Sequence, residues 1–422
     1  FFALQGFATY DAGILVGSLL AVNLLLAAPI ILLGMVSPFA IRLAVKDVDS
    51  AGNIAGSLYA LSTLGSIAGT FGPVLVLVPT IGTYKTFLVF AFALMGIALL
   101  GLWRERRARV PLHAALAILI AVLAALNPAP TVKPQSEGAL KTIYETESTY
   151  NYIRVLTYGD FTILELNEGQ AIHSLYNPKQ LLTGGVWDFF LVAPYLNKAY
   201  KPEQVKSMAL IGSAAGTIAK QYTNVYGPIV IGGAEIDPEI ERVGREYFAM
   251  TDPNFKVFVQ DGRYFLRNSA RKYDVVAVDA YRPPYIPFHL TTAEFFTEIR
   301  DHLSDEGVAV INVGRTASNY ELVQVLASTM KSVFPNVFTL DVPMRGSPVG
   351  NTLVIGTKQP TAAENFTANM QYLNNPTLLE VASIAAPNIK EWTTMPVVFT
   401  DDLAPVEEVV HRILVCFILG GE

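Results

Sequence analysis

Four clusters in this 422-residue chain combine residue types and spacings that could do chemistry: the loop Gly212-Ser213-Ala214-Ala215-Gly216, Glu235 with Asp237, Asp261, and Asp279. Each follows a short apolar run, so each is expected just beyond the carboxyl end of a strand. In an open parallel sheet, ligands bind along that edge. The residue types suit a nucleoside. Small residues let backbone N–H groups approach a ligand at a helix N-terminus. A carboxylate ending the second strand can accept both ribose hydroxyls, and Asp261 is placed for an adenine amino group. Singly, such acids commonly cap helices or face solvent. Their succession at four strand ends is what points to a pocket.

The elements that must position them follow from the pattern around them. Strands are expected at Met208–Ile211, Pro228–Ile236, Lys256–Gln260, Asp274–Val278, Val308–Val313, Val337–Leu340 and Thr352–Ile355. Helices are expected from the 212–216 loop to about Tyr222, and at Pro238–Phe248, Thr291–Leu303 and Ser318–Phe334. Apolar strands alternating with helices mean a doubly wound, mainly parallel Rossmann-like sheet of the class I methyltransferase type over 201–360. Ahead of it, Leu140–Glu147, Tyr152–Tyr158, Phe161–Leu166 and Gln170–Leu175, with a turn at Asn167-Glu168-Gly169, read as a small antiparallel β unit within 139–200. Pro128, Pro130 and Pro134 mark a linker over 128–138. Residues 361–422 form a C-terminal extension whose apolar tail, Val409–Leu419, is expected to dock as a helix.

Composition separates the front of the chain from the rest. Hydrophobic residues reach 52% and charged residues only 16%, against about 25% charged in ordinary soluble domains. The apolar excess is concentrated in four runs, 12–41, 54–80, 86–103 and 110–126. A bilayer core takes about 20 helical residues, so residues 1–127 read as an α-helical transmembrane domain of about four spans. Arg42 and Lys46 follow the first run, and Arg104, Arg106, Arg107 and Arg109 separate the third from the fourth. Basic loops stay cytoplasmic, so four crossings put the polar half outside the cytoplasm, on a bacterial plasma or inner membrane. Residues 128–422 carry a net charge of −9, which argues against nucleic acid as partner. Cys416 is the sole cysteine, and the five histidines show no metal-ligand spacing.

Ordered motifs over about 400 residues resemble the spermidine synthase family, and in particular its membrane-fused branch. They include Glu147-Ser148-Thr149-Tyr150-Asn151-Tyr152, Leu166-Asn167-Glu168-Gly169-Gln170, Glu235-Ile236-Asp237-Pro238, Asp261-Gly262-Arg263, Asp279-Ala280-Tyr281, Ile286-Pro287-Phe288-His289-Leu290-Thr291-Thr292 and Thr400-Asp401-Asp402-Leu403-Ala404-Pro405. Gly34-Met35-Val36-Ser37-Pro38 and Leu58-Tyr59-Ala60 resemble the branch's membrane half, which usually has further spans upstream. The resemblance implies a decarboxylated S-adenosylmethionine donor and aminopropyl transfer to a diamine. It assigns Asp279 as the base that deprotonates the attacking amine. It assigns Glu235 to the ribose, Asp261 and Gly262 to the adenine end, and Gly212 and Gly216 to the nucleoside loop. Two departures stand out: Ala215 replaces the family's carboxylate for the aminopropyl ammonium, and Arg282 falls where a second catalytic-loop carboxylate belongs.

These departures lead to a membrane-anchored, diverged or catalytically inactive protein, acting as an interaction or accessory subunit beside protein partners or further copies of itself in the bilayer. The alternatives are an active transferase with Asp279 as base, and a polyamine or metabolite transporter. The spans carry no central ionisable residue of the kind that marks a transport path.

Overall fold

The computed structural model describes residues 14–126, 136–167, 171–282 and 284–418. The start of the first apolar run, most of the 128–138 linker, the Glu168-Gly169-Gln170 part of the expected turn, Pro283 and the tail from Leu419 lie outside the described residues. The chain divides into two compact units, 1–128 and 129–422.

The first unit is helical. Its elements are α1 (Ile14–Ala44), α2 (Val48–Gly72), a π-helical turn (Pro73–Leu77), α3 (Val78–Glu105) and α4 (Val110–Leu126). Asp47 starts α2 by accepting the Ser50 N–H at 2.8 Å, the usual N-cap bond. The run from Val48 to Glu105 is broken at Gly82, whose φ of 78° and ψ of 165° no helix contains. The break falls where the sequence separates its second and third apolar runs. Leu24, Leu32, Leu61, Leu75, Phe87, Ile97 and Leu112 all face outward. Helices apolar on every side are those of a large core or a bilayer. Two helical stretches, Leu19–Ala44 and Val48–Glu105, are long and apolar enough to cross a membrane, whereas α4 is shorter.

The second unit holds two sheets. The smaller is antiparallel, in the order β1 (Ser136–Glu137), β2 (Leu140–Glu147), β3 (Tyr152–Tyr158), β4 (Phe161–Leu166) and β5 (Ile172–Tyr176). The larger contains β6 (Ser207–Ile211), β7 (Val230–Glu235), β8 (Phe255–Val259), β9 (Tyr273–Val278), β10 (Leu303–Thr316), β11 (Asn336–Asp341), β12 (Val349–Thr357) and β13 (Ile389–Trp392). Its order is β8-β7-β6-β9-β10-β12-β11-β13. β6 to β10 run parallel, while β12 is antiparallel to both β10 and β11. This is the Rossmann-like, methyltransferase-type order. The chain steps outward from β6 to β8, then returns to place β9 on the other side of β6, so the crevice opens between the β6 and β9 ends.

Alternation along these strands builds two cores. Met208, Leu210, Val275 and Ala277 face one side, with Ile218 and Tyr222 of α6 (Thr217–Tyr226). Ala209, Ile211, Val276 and Val278 face the other, against Leu266 of α8 (Gly262–Arg267), Phe296 of α9 (Ala293–His302) and Leu326 of α10 (Glu321–Lys331). The small sheet packs Ile153, Val155 and Leu164 on Ile240 and Val243 of α7 (Pro238–Tyr247).

Candidate active site

The 212–216 loop is built by conformation as much as by composition. Gly212 has φ of +83°, and a Cβ there would stand 2.5 Å from the Asp279 carbonyl oxygen. Only glycine lets β6 end against the β9 exit in this way. Gly216, also left-handed, starts α6. Ala214 holds a left-handed φ of 43° without being glycine, a strain of the kind held at functional loops. Ala215 is buried with Ile240, Val243 and Phe248. The position where the resemblance expects a carboxylate therefore belongs to the hydrophobic core.

Glu235 ends β7 and is buried. Its Oε2 accepts the Ala214 N–H at 2.9 Å and its Oε1 the Asp237 N–H at 3.1 Å. Burial outweighs these donors and pushes its carboxyl up to about 7. Among the described residues, all of its donors are backbone N–H groups, so no cation neutralises it. Asp237 is engaged differently. Its Oδ2 accepts from Ser148 at 2.5 Å and Asn151 at 3.0 Å, and its Oδ1 from the Glu239 N–H at 3.0 Å. It caps α7 and fastens the β2–β3 turn to the large sheet, which explains why the 147–152 motif has the residues it has.

Asp261 caps α8 through the Tyr264 N–H at 2.9 Å, and its other oxygen meets His289 Nε2 at 2.8 Å. His289, in the middle of the 286–292 motif, holds the Asp261 carboxyl below its ordinary range. Gly262 is the first residue of α8. Behind them, buried Arg263 forms a fork with Asp401, at 2.7 and 2.8 Å, and also binds Glu298 at 2.7 Å. Thr292 donates to Asp401 at 2.7 Å. The late 400–405 motif is thus a brace for the helix that follows Asp261.

Asp279 lies at the exit of β9. Trp187, on the short helix α5 (Val186–Phe190), donates its indole N–H to Oδ2 at 3.0 Å, and Asn312 of β10 donates to Oδ1 at 2.8 Å. Asn312 is itself oriented by Asn351 at 2.9 Å. Burial raises the Asp279 carboxyl, and the Asn312 and Trp187 donors oppose it. Tyr281 Oη bridges the Asn312 carbonyl and the Gly314 N–H, both at 2.9 Å, so the 279–281 segment is pinned to β10. Arg282 forms a tight backbone turn with Tyr285, and its side chain is exposed. The structure therefore brings Gly212, Glu235 and Asp279 to one crevice, with Asp261 at the next strand end.

Trp187 and Asn312 are not singled out by the sequence, and Tyr281 is visible there only as part of the 279–281 motif. Asn312 carried a signal, as a polar residue inside the apolar run 308–313. Trp187 carried none, because its contact joins a short helix to a strand end 92 residues away. Among the described residues, no group of His, Cys, Asp and Glu is arranged to hold a metal ion.

The comparison with known proteins agrees with this geometry. Residues 210–365 match the spermine/spermidine synthase domain. A probable polyamine aminopropyl transferase from Bifidobacterium longum is 38% identical over 204 residues, covering 47% of this chain and 44% of the relative, so the match spans less than half of that relative's length. A polyamine aminopropyltransferase from Vibrio vulnificus is 27% identical over 238 residues, covering 53% of this chain and 74% of the relative. Among solved structures, a probable spermidine synthase from Corynebacterium glutamicum superposes with a TM-score of 0.46 at 20% identity, covering 60% of this chain and 95% of the other. Residues 210–365 thus carry a spermine/spermidine synthase domain match, and the chain is similar in sequence to polyamine aminopropyltransferases.

Proposed function

We propose that the polar unit is a diverged amine transferase with an S-adenosylmethionine-derived donor, decarboxylated S-adenosylmethionine foremost, carried on a membrane-anchored chain. The observation that carries this reading is Asp279, held between Trp187 and Asn312 with its carboxyl raised by burial. A general base should have a pKa near working pH. Burial shifts the Asp279 carboxyl upward, toward that range, and the two donors fix it in place to take up a proton.

The residues present fit the donor. Glu235, held by backbone donors alone, is the acceptor for the ribose hydroxyls, and the 212–216 loop brings backbone against the crevice. In the reaction, the acceptor nitrogen attacks the donor's propyl carbon attached to sulfur. The C–S bond breaks, its electron pair stays on sulfur, and methylthioadenosine leaves. The proton lost by the amine goes to Asp279. This chain orients both partners and takes up that proton.

Membrane anchoring is supported by the apolar faces of α1 to α3. The basic residues around 42–46 and 104–109 define the cytoplasmic face. α4 has 17 residues, about 25 Å at 1.5 Å per residue, against a hydrocarbon core of about 30 Å. We take α4 to enter the bilayer without completing the crossing, which leaves the polar unit on the cytoplasmic side, where adenosyl donors are made. This departs from the extracytoplasmic placement that four crossings would give.

A second reading, an inactive accessory subunit for protein partners, is favoured by Ala215, whose burial in the core leaves no anchor for a donor ammonium. Calorimetry with methylthioadenosine and chromatographic assay of its release from decarboxylated S-adenosylmethionine separate the two. Nucleoside binding with amine-dependent release supports the transferase. Absence of binding supports the accessory subunit.

A further inference from the structure

Three arginines stand on segments adjoining Asp279 and its donors Trp187 and Asn312, and a cation is the wrong charge for a diamine. Arg282 is exposed three residues after the base. Arg315, at the end of β10, is buried, stacks on Tyr320 at 4.6 Å, and donates to Thr352 at 3.0 Å and to the Met344 sulfur at 3.0 Å. The nearby carboxylates are already engaged. Asp341 accepts from Thr352 at 2.6 Å and lies 3.7 Å from both Arg315 and Lys390. Asp188, on α5, accepts from the Thr183 N–H and hydroxyl, the Gly184 N–H and Gln221.

The third cation is Arg345. It sits next to Met344 in a turn closed by the Ser347 N–H to Met344 carbonyl bond, with a left-handed φ of 48° followed by Gly346 at 86°. Turns of this kind favour Asn, Asp or Gly at both central positions, so an arginine there is held at some cost. Its guanidinium lies on Gly184. A Cβ on that residue, itself at φ +74°, would stand 2.6 Å from Arg345 Nη1. Gly184 is three residues before Trp187, the donor to Asp279. Among the described residues, no carboxylate pairs with Arg345 within 4.0 Å. It lines a cavity of about 150 Å³ whose walls include Gly184, Phe189, Val381 and two carboxylates, the exposed Glu380 and the buried Asp188, the latter already taken up by the Thr183, Gly184 and Gln221 donors.

We propose that this cavity is the far end of the acceptor site and that the acceptor is an amino acid whose side chain ends in an amine. The α-carboxylate pairs with Arg345, the α-ammonium with Glu380, and the terminal amine reaches Asp279. A guanidinium fork recognises a carboxylate, which a diamine lacks. The proposal rests on the transferase reading above. Ornithine is putrescine with one added carboxylate, so this pair isolates the feature in question.

The test uses the full chain in detergent with decarboxylated S-adenosylmethionine, measuring methylthioadenosine release with ornithine, lysine, 4-aminobutyrate and putrescine. Ornithine or lysine should exceed putrescine at least tenfold in kcat/KM. Arg345→Gln should raise KM for the amino acid about tenfold or more with little change in kcat, leaving putrescine unaffected, and Arg345→Lys should restore part of the loss. Putrescine matching the amino acids, or Arg345→Gln weakening all amines equally, overturns the proposal and leaves the transferase standing. If no amine releases methylthioadenosine, the transferase reading fails. Calorimetry of ornithine in the presence of methylthioadenosine then decides the site. Binding lost in Arg345→Gln supports it, and no binding sinks it.

Discussion

The indole N–H of Trp187 donates to Asp279 at 3.0 Å across 92 residues of sequence, joining the short helix α5 to the exit of β9. A donor to a carboxylate favours its ionised form. Trp187→Phe removes that donor while keeping an aromatic ring. The Asp279 pKa should rise further, and the acidic limb of the kcat/KM profile should move to higher pH. Asp279→Asn should lower turnover by about 10²–10⁴, the usual contribution of a general base. A profile unmoved by Trp187→Phe would show that Asp279 does not titrate in the reaction.

Wild-type protein should show negligible putrescine-dependent transfer. Because Arg282 is exposed, its repulsion of an ammonium at 4 Å is screened to about 1 kcal/mol. Arg282→Asp should therefore lower the putrescine KM by no more than about fivefold. A larger gain, or substantial wild-type turnover abolished by Asp279→Asn, would place the diamine elsewhere than beside the arginines.

Glu235 couples nucleoside binding to pH. Its carboxyl is pushed up to about 7 by burial, and two ribose hydroxyls would favour the ionised form. Binding of methylthioadenosine near pH 6 should therefore release a proton, and affinity should fall as pH drops below about 7. The folded-state pKa lies above the ordinary 4.5, so the neutral form is favoured by folding and stability declines as pH rises between these values. The stability of Glu235→Gln relative to wild type should improve by about 3 kcal/mol from pH 4.5 to pH 8, at 1.36 kcal/mol per pKa unit. Denaturant melts at both pH values measure this, and a difference independent of pH removes Glu235 as the titrating group.

Arg263 joins elements far apart in sequence, with its side chain only 8% exposed. Removing it leaves Asp401 and Glu298 without their shared cation. Loss of one partner of a buried ion pair costs about 3–5 kcal/mol. Arg263→Ala should destabilise by that order. Asp401→Asn should cost less, because Asp401 is 40% exposed. Equal and small effects in thermal melts would reduce this brace to a surface contact.

The alternation of apolar strands and helices was legible after Ser207 because period and turn chemistry are local properties. Pro238, Asp261 and Thr292 fall at helix starts that their residue types announce. What was not legible is short or distant. The four-residue edge strand β13 and six-residue α8 are too brief to show a period. The partners of Asp279, the brace on Arg263 and the cavity under Arg345 each join segments that only the folded chain brings together. Ala215 looked like a missing anchor in the sequence, and its neighbours on α7 turned it into core.

Orientation in the membrane is open to direct measurement. If α4 does not complete a crossing, the polar unit faces the cytoplasm, and both basic loops lie on that same face. Exposed Lys179 changed to Cys, in a Cys416→Ser background because Cys416 is also exposed, reports the side. A membrane-impermeant thiol reagent should label it only after lysis. Labelling of intact cells would mean that α4 crosses, and would remove the polar unit from the compartment where adenosyl donors are made. The transferase reading would then lose its donor, and the accessory-subunit reading would take its place.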